Sequence, residues 1–277
     1  MYQIIKVLNN NAFLAKHDEG ERILVGKGIG FGKKPGDTFT AIKDAKIYTL
    51  AVRENERSVI ERSVINAVKG IEPKYLEAAG RVIDEAQVVF KTINPDILIP
   101  LADHIAFAAK RAEENIYLPN PFIADIKALF GKEYTVVVKS REIIEEMTGY
   151  RITDDEAGFI ALHVHSGLSD AEVSETLKIT QIIDECMLDI EKMLDQHISR
   201  ESLGGIRLMS HLYYMIARSK AKEKINIDLN QFVEEKYAKA GMIARHICRE
   251  VERKLEVPVI REEEGFLAVH IQTIIIP

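Results

Sequence analysis

The first 50 residues alternate between short runs of aliphatic or aromatic residues and clusters of turn-forming residues. Runs of this kind favour β-strands, and clusters of Asn, Asp, Gly and Pro favour the turns between them. We therefore predict four short antiparallel strands in this region. The runs are IIKVL, AFLAK, RILVGKGI and KIYTLAV, and the turn clusters are NNN, HDEG and KKPGD.

From about Glu54 onward the apolar residues recur at i, i+3, i+4 and i+7, a spacing typical of amphipathic helices. Pro119 and Pro121 interrupt this pattern. Thr153 and Glu156 form a capping box, in which Thr153 accepts from a first-turn amide and Glu156 reaches back, and they predict the start of the next helix. Short linkers between such helices are typical of helical bundles.

The helical part of the chain contains an internal repeat with an offset of 107 residues. EAGFIALHV at 156–164 matches EEGFLAVHI at 263–271, and LADHIAFAAKR at 101–111 matches LMSHLYYMIAR at 208–218. The repeat preserves four histidines in two pairs, each with its members 59 residues apart: His104 with His163, and His211 with His270.

These patterns predict a multidomain protein with a small N-terminal antiparallel β-sheet domain and two homologous all-α helical bundles. We expect domains at 1–56, 57–169 and 170–277, a division consistent with a chain of 277 residues. A sheet domain of this size buries little core, so we expect it to gain stability by dimerising.

Composition limits the classes of protein and the cellular compartment that we consider. The two cysteines, Cys186 and Cys248, form no CxxC pattern, so neither a disulfide framework nor a zinc ribbon is indicated. We find no apolar run of the roughly 18 residues needed to span a bilayer, and no signal-peptide core, and we expect a reducing cytoplasm. The net charge of −6 divides into +3 for residues 1–50 and −9 for the remainder, so a polyanionic partner for the sheet domain is compatible with the sequence.

Sequence alone leaves three interpretations of the histidines. Each can pack in a helical core, although Leu or Phe would pack as well. A metal site is the second interpretation, but no HExxH motif or neighbouring cysteine supports it. His163 and His165 form an HxH motif whose side chains point about 200° apart on a helix, and the position equivalent to His165 is Gln272.

Reversible phosphorylation of the imidazoles is the third interpretation. Arg111 follows His104 by seven residues, and Arg218 follows His211 by the same interval. Seven residues are about two helical turns, so each guanidinium lies on the same face as its histidine and can bind a new phosphate there. The alternative is that both arginines are surface charges.

Taken together, these motifs resemble those of the transcriptional antiterminators of sugar-phosphotransferase (PTS) operons. Members of this family join a co-antiterminator (CAT) RNA-binding domain to two PTS regulation domains (PRDs). KVLNNNAF and GKGIGFGKKPGD resemble the RNA-binding signature, and the four histidine segments resemble the regulatory motifs. GKGIGFGKK, DHIAFAAKR and ALHVHS are most similar to the glucose-type, GlcT-like subgroup, because many other relatives read HxVN at the last motif.

The resemblance implies that a dimer of the small domain binds a leader-RNA hairpin that overlaps a terminator, so that transcription continues. It implies no enzyme activity and no cofactor. The resemblance further implies that phosphorylation of the first PRD by the sugar-specific enzyme II, on His104 and His163, inactivates the protein when the sugar is absent. It implies that HPr phosphorylates the second PRD on His211 and His270, which is commonly activating in the family, although glucose-type members depend on it little.

The resemblance also implies RNA contacts by Lys6, Asn11, Gly26, Lys27 and Phe31, with Asn9 and Asn10 as near alternatives. Amide side chains, closely approaching glycine and an exposed aromatic suit RNA recognition, while lysines attract phosphate. Some relatives carry Arg at position 27, and Lys27 cannot make the planar bidentate contact of arginine. The alternative for Phe31 is core packing, and for residues 9–11 it is turn chemistry.

We hypothesise that phosphorylation at His104 or His163 separates the first regulatory dimer and with it the paired RNA-binding domains. The rival from another class is a helical metalloenzyme that uses the four histidines. A DNA-binding activator with the same regulatory modules is disfavoured, because no helix-turn-helix precedes residue 54. We find no GxSxG, GxxxxGK[ST] or GxGxxG motif.

Overall fold

The computed structural model describes residues 1–18, 20–40, 42, 45–49, 71–169 and 171–275. The predicted domain boundary between residues 56 and 57 lies outside these residues. The fold class is confirmed: a small antiparallel sheet is followed by α-helices. No helix within the described ranges is long and apolar enough to cross a membrane.

The sheet has five strands among the described residues, in the order β4-β1-β2-β3-β5 and with antiparallel neighbours. The prediction of four strands missed β4, whose two residues are too short for a sequence pattern. Register shifts between Ile4 and Lys6 and between Val7 and Asn9 bend β1 against β2. The strands are β1 (Tyr2–Asn9), β2 (Ala12–His17), β3 (Gly20–Val25), β4 (Thr38–Phe39) and β5 (Lys46–Thr49).

One face of the sheet buries a small apolar core around Phe13, which is fully buried. Tyr2 stacks on Phe39 with the ring centroids 5.1 Å apart, and Phe13 meets Phe39 edge-on at 5.4 Å. The core is thus closed by β4, whose Phe39 provides the aromatic ring shared by both contacts. The buried members of this cluster are Tyr2, Ile4, Phe13, Ala15 and Leu24.

Contacts divide the chain into two units: residues 1–120 with 132–173, and residues 121–131 with 174–277. Residues 121–131 therefore group with the second unit, although the sequence pattern placed them in the first helical domain. In the first unit, Pro73 begins the helix Pro73–Phe90, and Gly149, with a φ of 75°, ends the helix Arg141–Thr148. The helices here are α1 (Pro73–Phe90), α2 (Leu98–Glu113), α4 (Gly131–Lys139), α5 (Arg141–Thr148) and α6 (Asp154–Ser169), with a 3-10 turn at Pro95–Ile97.

The second unit buries a helical core that is larger than the core of the sheet and includes Met187, Leu212 and Ile247. The Ser202 hydroxyl caps α8 by accepting from the Gly205 N–H at 3.0 Å. The helices of this unit are α3 (Ile123–Leu129), α7 (Val173–Leu194), α8 (Leu203–Ala221), α9 (Asn230–Lys236), α10 (Ala238–Leu255) and α11 (Glu262–Ile274).

Candidate functional site

The first histidine pair is formed by two helices of the first unit. His104 lies on α2 and His163 on α6, and their ring centroids are 5.1 Å apart at an interplanar angle of 46°. The sequence predicted that these residues act as a pair, and the structure brings them into contact. Phe159, one turn before His163, lies 6.0 Å from the His104 ring and borders the pair on that side.

A buried carboxylate links this pair to Arg111. His104 Nε2 lies 2.9 Å from Glu156 Oε2, and Arg111 donates to Glu156 Oε1 at 2.7 Å. The burial of Glu156 raises its pKa, but the hydrogen bonds with His104 and Arg111 more than offset this effect, so its pKa lies below the ordinary value. The surface-charge interpretation of Arg111 is therefore incomplete, because its guanidinium is committed to Glu156.

The predicted capping box is only half present. Thr153 Oγ1 accepts from the Glu156 N–H at 3.2 Å, as expected. The prediction that Glu156 reaches back is wrong, because its carboxylate turns to His104 and Arg111. Glu156 was missed as a site residue, although a signal was present: Glu263 is identical to it in the repeat, and each lies seven residues before a paired histidine.

The second pair has the same parts in the second unit but a different pairing. The rings of His211 and His270 are 4.5 Å apart at 30°. Arg218 binds the fully buried Glu263 through two hydrogen bonds of 2.7 and 3.0 Å. His211 Nε2 lies 3.6 Å from Glu263 Oε2, a distance beyond hydrogen bonding, and this nitrogen is buried without a partner.

The buried histidines are held neutral. Burial, and to a smaller degree His104, lowers the pKa of His163 to about 3. Burial, followed by His270 and Arg218, lowers the pKa of His211 to about 3. Burial and the exposed Arg207 also lower the pKa of His270. A neutral imidazole retains a lone pair on one ring nitrogen, which a nucleophile requires.

Two further expectations concern metal and His165. His165 Nδ1 lies 2.9 Å from Glu133 Oε1, so this ring nitrogen is paired with a carboxylate of α4. Among the described residues, no group of three or more His, Cys, Asp or Glu side chains has an arrangement that could hold a metal ion.

The predicted RNA-binding residues cluster around the β1–β2 turn and the loop after β3. Asn9 and Asn11 are buried, and their side chains organise the turn. Asn9 Oδ1 accepts from the Asn11 N–H at 2.8 Å, and Asn11 Oδ1 accepts from the Gly28 N–H at 2.8 Å. Gly26 is buried, and its N–H donates to Asn11 O. The turn-chemistry alternative thus describes what these two amides do here.

Other members of this set face outward. Phe31 is 77% exposed, so the core-packing alternative for Phe31 is wrong. Asn10 and Lys27 are exposed as well, whereas Lys6 is half-exposed and forms an ion pair with Glu77 of α1. Gly30 lies in the predicted RNA-binding signature but was not among the predicted contact residues. A Cβ there would lie 2.2 Å from Asn9 O, so only glycine fits against the turn.

Comparisons with known proteins agree with this division of the chain into sheet and helical parts. The model of the CAT RNA binding domain matches residues 2–57. The model of the PRD domain matches twice, at residues 81–167 and 184–274.

The chain is also similar over its whole length to curated proteins. It is 30% identical to Protein GlcT of Staphylococcus saprophyticus, over 98% of this chain and 96% of that protein. It is 26% identical to transcription antiterminator LicT of Bacillus subtilis, over 99% of both. A crystal structure of GlcT CAT-PRDI is 32% identical and covers 61% of this chain and 98% of its own, with a TM-score of 0.41.

Proposed function

This chain belongs to the family of transcription antiterminators that join a CAT RNA-binding domain to two PRD domains, and we propose that it stabilises a leader-RNA hairpin under the control of histidine phosphorylation. Like its relatives, it is a transcription regulator and not an enzyme. We place the domains at residues 1–56, 57–169 and 170–277, and the protein in the cytoplasm with nascent RNA.

For RNA contact we propose the exposed rim of the sheet domain. Phe31 offers a ring on which a splayed base can stack, and Lys27 and Lys6 offer positive charge to phosphates. Asn10 is exposed and able to contact RNA directly, whereas buried Asn9, Asn11 and Gly26 set the shape of the loop. Binding by a homodimer would present two such rims to one hairpin.

Hairpin binding tests this proposal directly. We expect the full chain to prefer its leader hairpin over a scrambled strand and over duplex DNA in fluorescence anisotropy titrations. Phe31→Ala is expected to weaken binding by about 1–3 kcal/mol, the range for loss of one stacked base. Lys27→Ala is also expected to weaken binding, because it removes a positive charge that attracts phosphate. Lys16→Ala, at the far end of β2, is its control because the charge change is the same. Equal affinity for all three nucleic acids would contradict the proposal.

The observation that supports phosphoryl control is the duplicated His-Arg-Glu-His arrangement, at 104, 111, 156 and 163 and again 107 residues later. We propose that His104 and His163 accept phosphate from the sugar-specific enzyme II, with a negative effect on RNA binding. His211 and His270 are then the acceptors from HPr. The glucose-type motifs point to glucose as the sugar.

A phosphoryl group at either site meets a carboxylate. It adds roughly −1.5 to −2 charges, and like unit charges ~4 Å apart at an effective dielectric constant of ~20 repel by about 4 kcal/mol. Moving an equilibrium from 1:99 to 99:1 takes about 5.5 kcal/mol. The repulsion energy after phosphorylation of His104 is therefore comparable to the free energy needed to shift such an equilibrium. We propose that Arg111 then leaves Glu156 to bind the phosphate, and that α2 rearranges against α6.

Mass spectrometry can assign the acceptors. The full chain is incubated with phosphoenolpyruvate, enzyme I and HPr, with and without enzyme II, and acid-labile phosphate is mapped to residues. We expect phosphate on His104 or His163 only with enzyme II, and a loss of hairpin binding and of dimer in sedimentation. His246→Gln, at an exposed histidine outside both pairs, is the control. Phosphate elsewhere, or unchanged hairpin affinity, would contradict the assignment.

A further inference from the structure

Helix α1 lies directly on the turn that carries the predicted RNA-binding residues. Lys6 of β1 pairs with Glu77 of α1. Asn9 Nδ2 donates to Gly80 O at 3.3 Å, one helical turn further along α1. Asp84 lies another turn on, and burial raises the pKa of its carboxyl group, while Arg81 and the Asn10 backbone lower it to a smaller degree. Two donors at the predicted RNA-binding turn, from Lys6 and Asn9, are thus bound by acceptors on one face of α1.

Gly80 permits this approach. It lies in the middle of an 18-residue helix, where glycine costs about 1 kcal/mol relative to alanine. A Cβ at this position would lie 3.1 Å from Leu8 O and 3.2 Å from Asn9 Nδ2, so a larger side chain would push the turn away. The residue at the 107-residue offset is Met187, which is buried in the helical core of the second unit.

The contact leaves polar groups unsatisfied. Asp84 Oδ1 and Asn11 Nδ2 are both buried without a hydrogen-bond partner. A buried polar group without a partner costs about 1–3 kcal/mol. Asn11 and Lys27 also line a cavity whose other wall is formed by Gln87, Lys91 and Gly167 of the helical part. The contact between α1 and the turn therefore leaves buried polar atoms without hydrogen bonds and a cavity unfilled, unlike a well-packed core.

We propose that α1 is an intramolecular competitor of RNA: its acidic and carbonyl oxygens occupy the loop donors that hairpin phosphates and bases would otherwise engage. This inference rests on the proposed RNA-binding function. RNA then binds only after α1 has left the turn, and the observed affinity is the intrinsic affinity reduced by the fraction of molecules in the released state. Helix α1 also packs along α2, the helix that carries His104.

Two substitutions in the unphosphorylated full chain test the competition. Gly80→Met overpacks the contact, and overpacking of about 1–3 kcal/mol corresponds to roughly fivefold to 140-fold tighter hairpin binding. Val88→Met, on the exposed side of the same helix, is its control. Glu77→Gln removes one partly exposed ion pair, and we expect hairpin binding about twofold to fivefold tighter. Glu72→Gln, at an exposed residue just before α1, is the matched charge control.

A second measurement reports the contact itself. Hydrogen exchange of the Asn9 side-chain amide, which donates to Gly80 O, is expected to accelerate in Gly80→Met and in Glu77→Gln, but not in the two controls. Glu77→Gln keeps the test decisive if Gly80→Met does not fold. If exchange accelerates while hairpin affinity stays equal or falls, and Phe31→Ala still weakens binding, the competition is wrong and the RNA-binding function stands. If no variant and no wild-type chain binds the hairpin, the RNA-binding function itself fails.

Discussion

His104 Nε2 lies 2.9 Å from a carboxylate oxygen of Glu156, a residue 52 positions later in the chain. The equivalent distance in the second unit, from His211 to Glu263, is 3.6 Å. The difference arises because Arg218 takes both oxygens of Glu263, whereas Arg111 takes one oxygen of Glu156 and leaves the other to the histidine. The two copies therefore depend on their arginines to different degrees.

Loss of the arginine is expected to be more costly in the second copy. Arg218→Ala leaves Glu263 as a fully buried charge without a hydrogen-bonded partner, which costs about 3–5 kcal/mol of unfolding free energy. Arg111→Ala leaves Glu156 with His104, so we expect about 1–3 kcal/mol. Calorimetric unfolding of the full chain measures both, with Arg245→Ala on the surface of α10 as control. Equal losses for the two buried sites would contradict this account.

Removal of the Glu156 charge is expected to favour phosphorylation of His104. In Glu156→Gln the carboxylate no longer repels the phosphoryl group, and Arg111 is released to pair with it. The amount of phosphate on His104 after a fixed incubation with the PTS proteins, measured by mass spectrometry, should rise several-fold. Glu142→Gln, at an exposed residue of α5, controls for the charge change. An unchanged or lower yield would show that Glu156 does not oppose the phosphate.

The histidine pairs could be predicted from the sequence because a repeat offset survives divergence, and each pair is fixed by two helices of its module. The carboxylates could not be assigned, since Glu156 fits an N-terminal capping box equally well and only the tertiary packing of α6 on α2 decides where it points. Strand β4 was beyond prediction because two residues carry no periodicity.

The position of α1 on the sheet domain was also hidden in the sequence. In the sequence, Gly80 only lowers the helix propensity of its segment. The structure explains it, because Leu8 and Asn9 approach the helix too closely for a larger side chain. The RNA-binding role of the turn asparagines stays a prediction, and the burial of Asn9 and Asn11 depends on the loop after β3, which folds back to meet Asn11 through Gly26 and Gly28. Contacts between distant segments of this kind have no local pattern.

Gly30→Ala is expected to disrupt the RNA-binding loop without any change in charge. The added Cβ would lie 2.2 Å from Asn9 O, which no real packing permits, so the loop must leave the turn and lose the bond from the Gly30 N–H to Asn10 O. We expect hairpin binding to fall at least tenfold while the helical content in circular dichroism stays constant. Gly131→Ala adds a methyl group in open space and serves as control. Retained hairpin affinity would show that the loop conformation is not required.

Acidification is expected to destabilise the first unit through His163. Its pKa of about 3 in the folded chain lies below that of an unfolded histidine, so the unfolded state binds the extra proton. The stabilisation is fully present above about pH 6.5 and is lost as pH falls towards 3, by about 1.4 kcal/mol per pH unit. Urea unfolding between pH 7 and 5 should show this slope reduced in His163→Gln and unchanged in His246→Gln. Identical slopes in wild type and His163→Gln would mean that folding does not lower the pKa of His163.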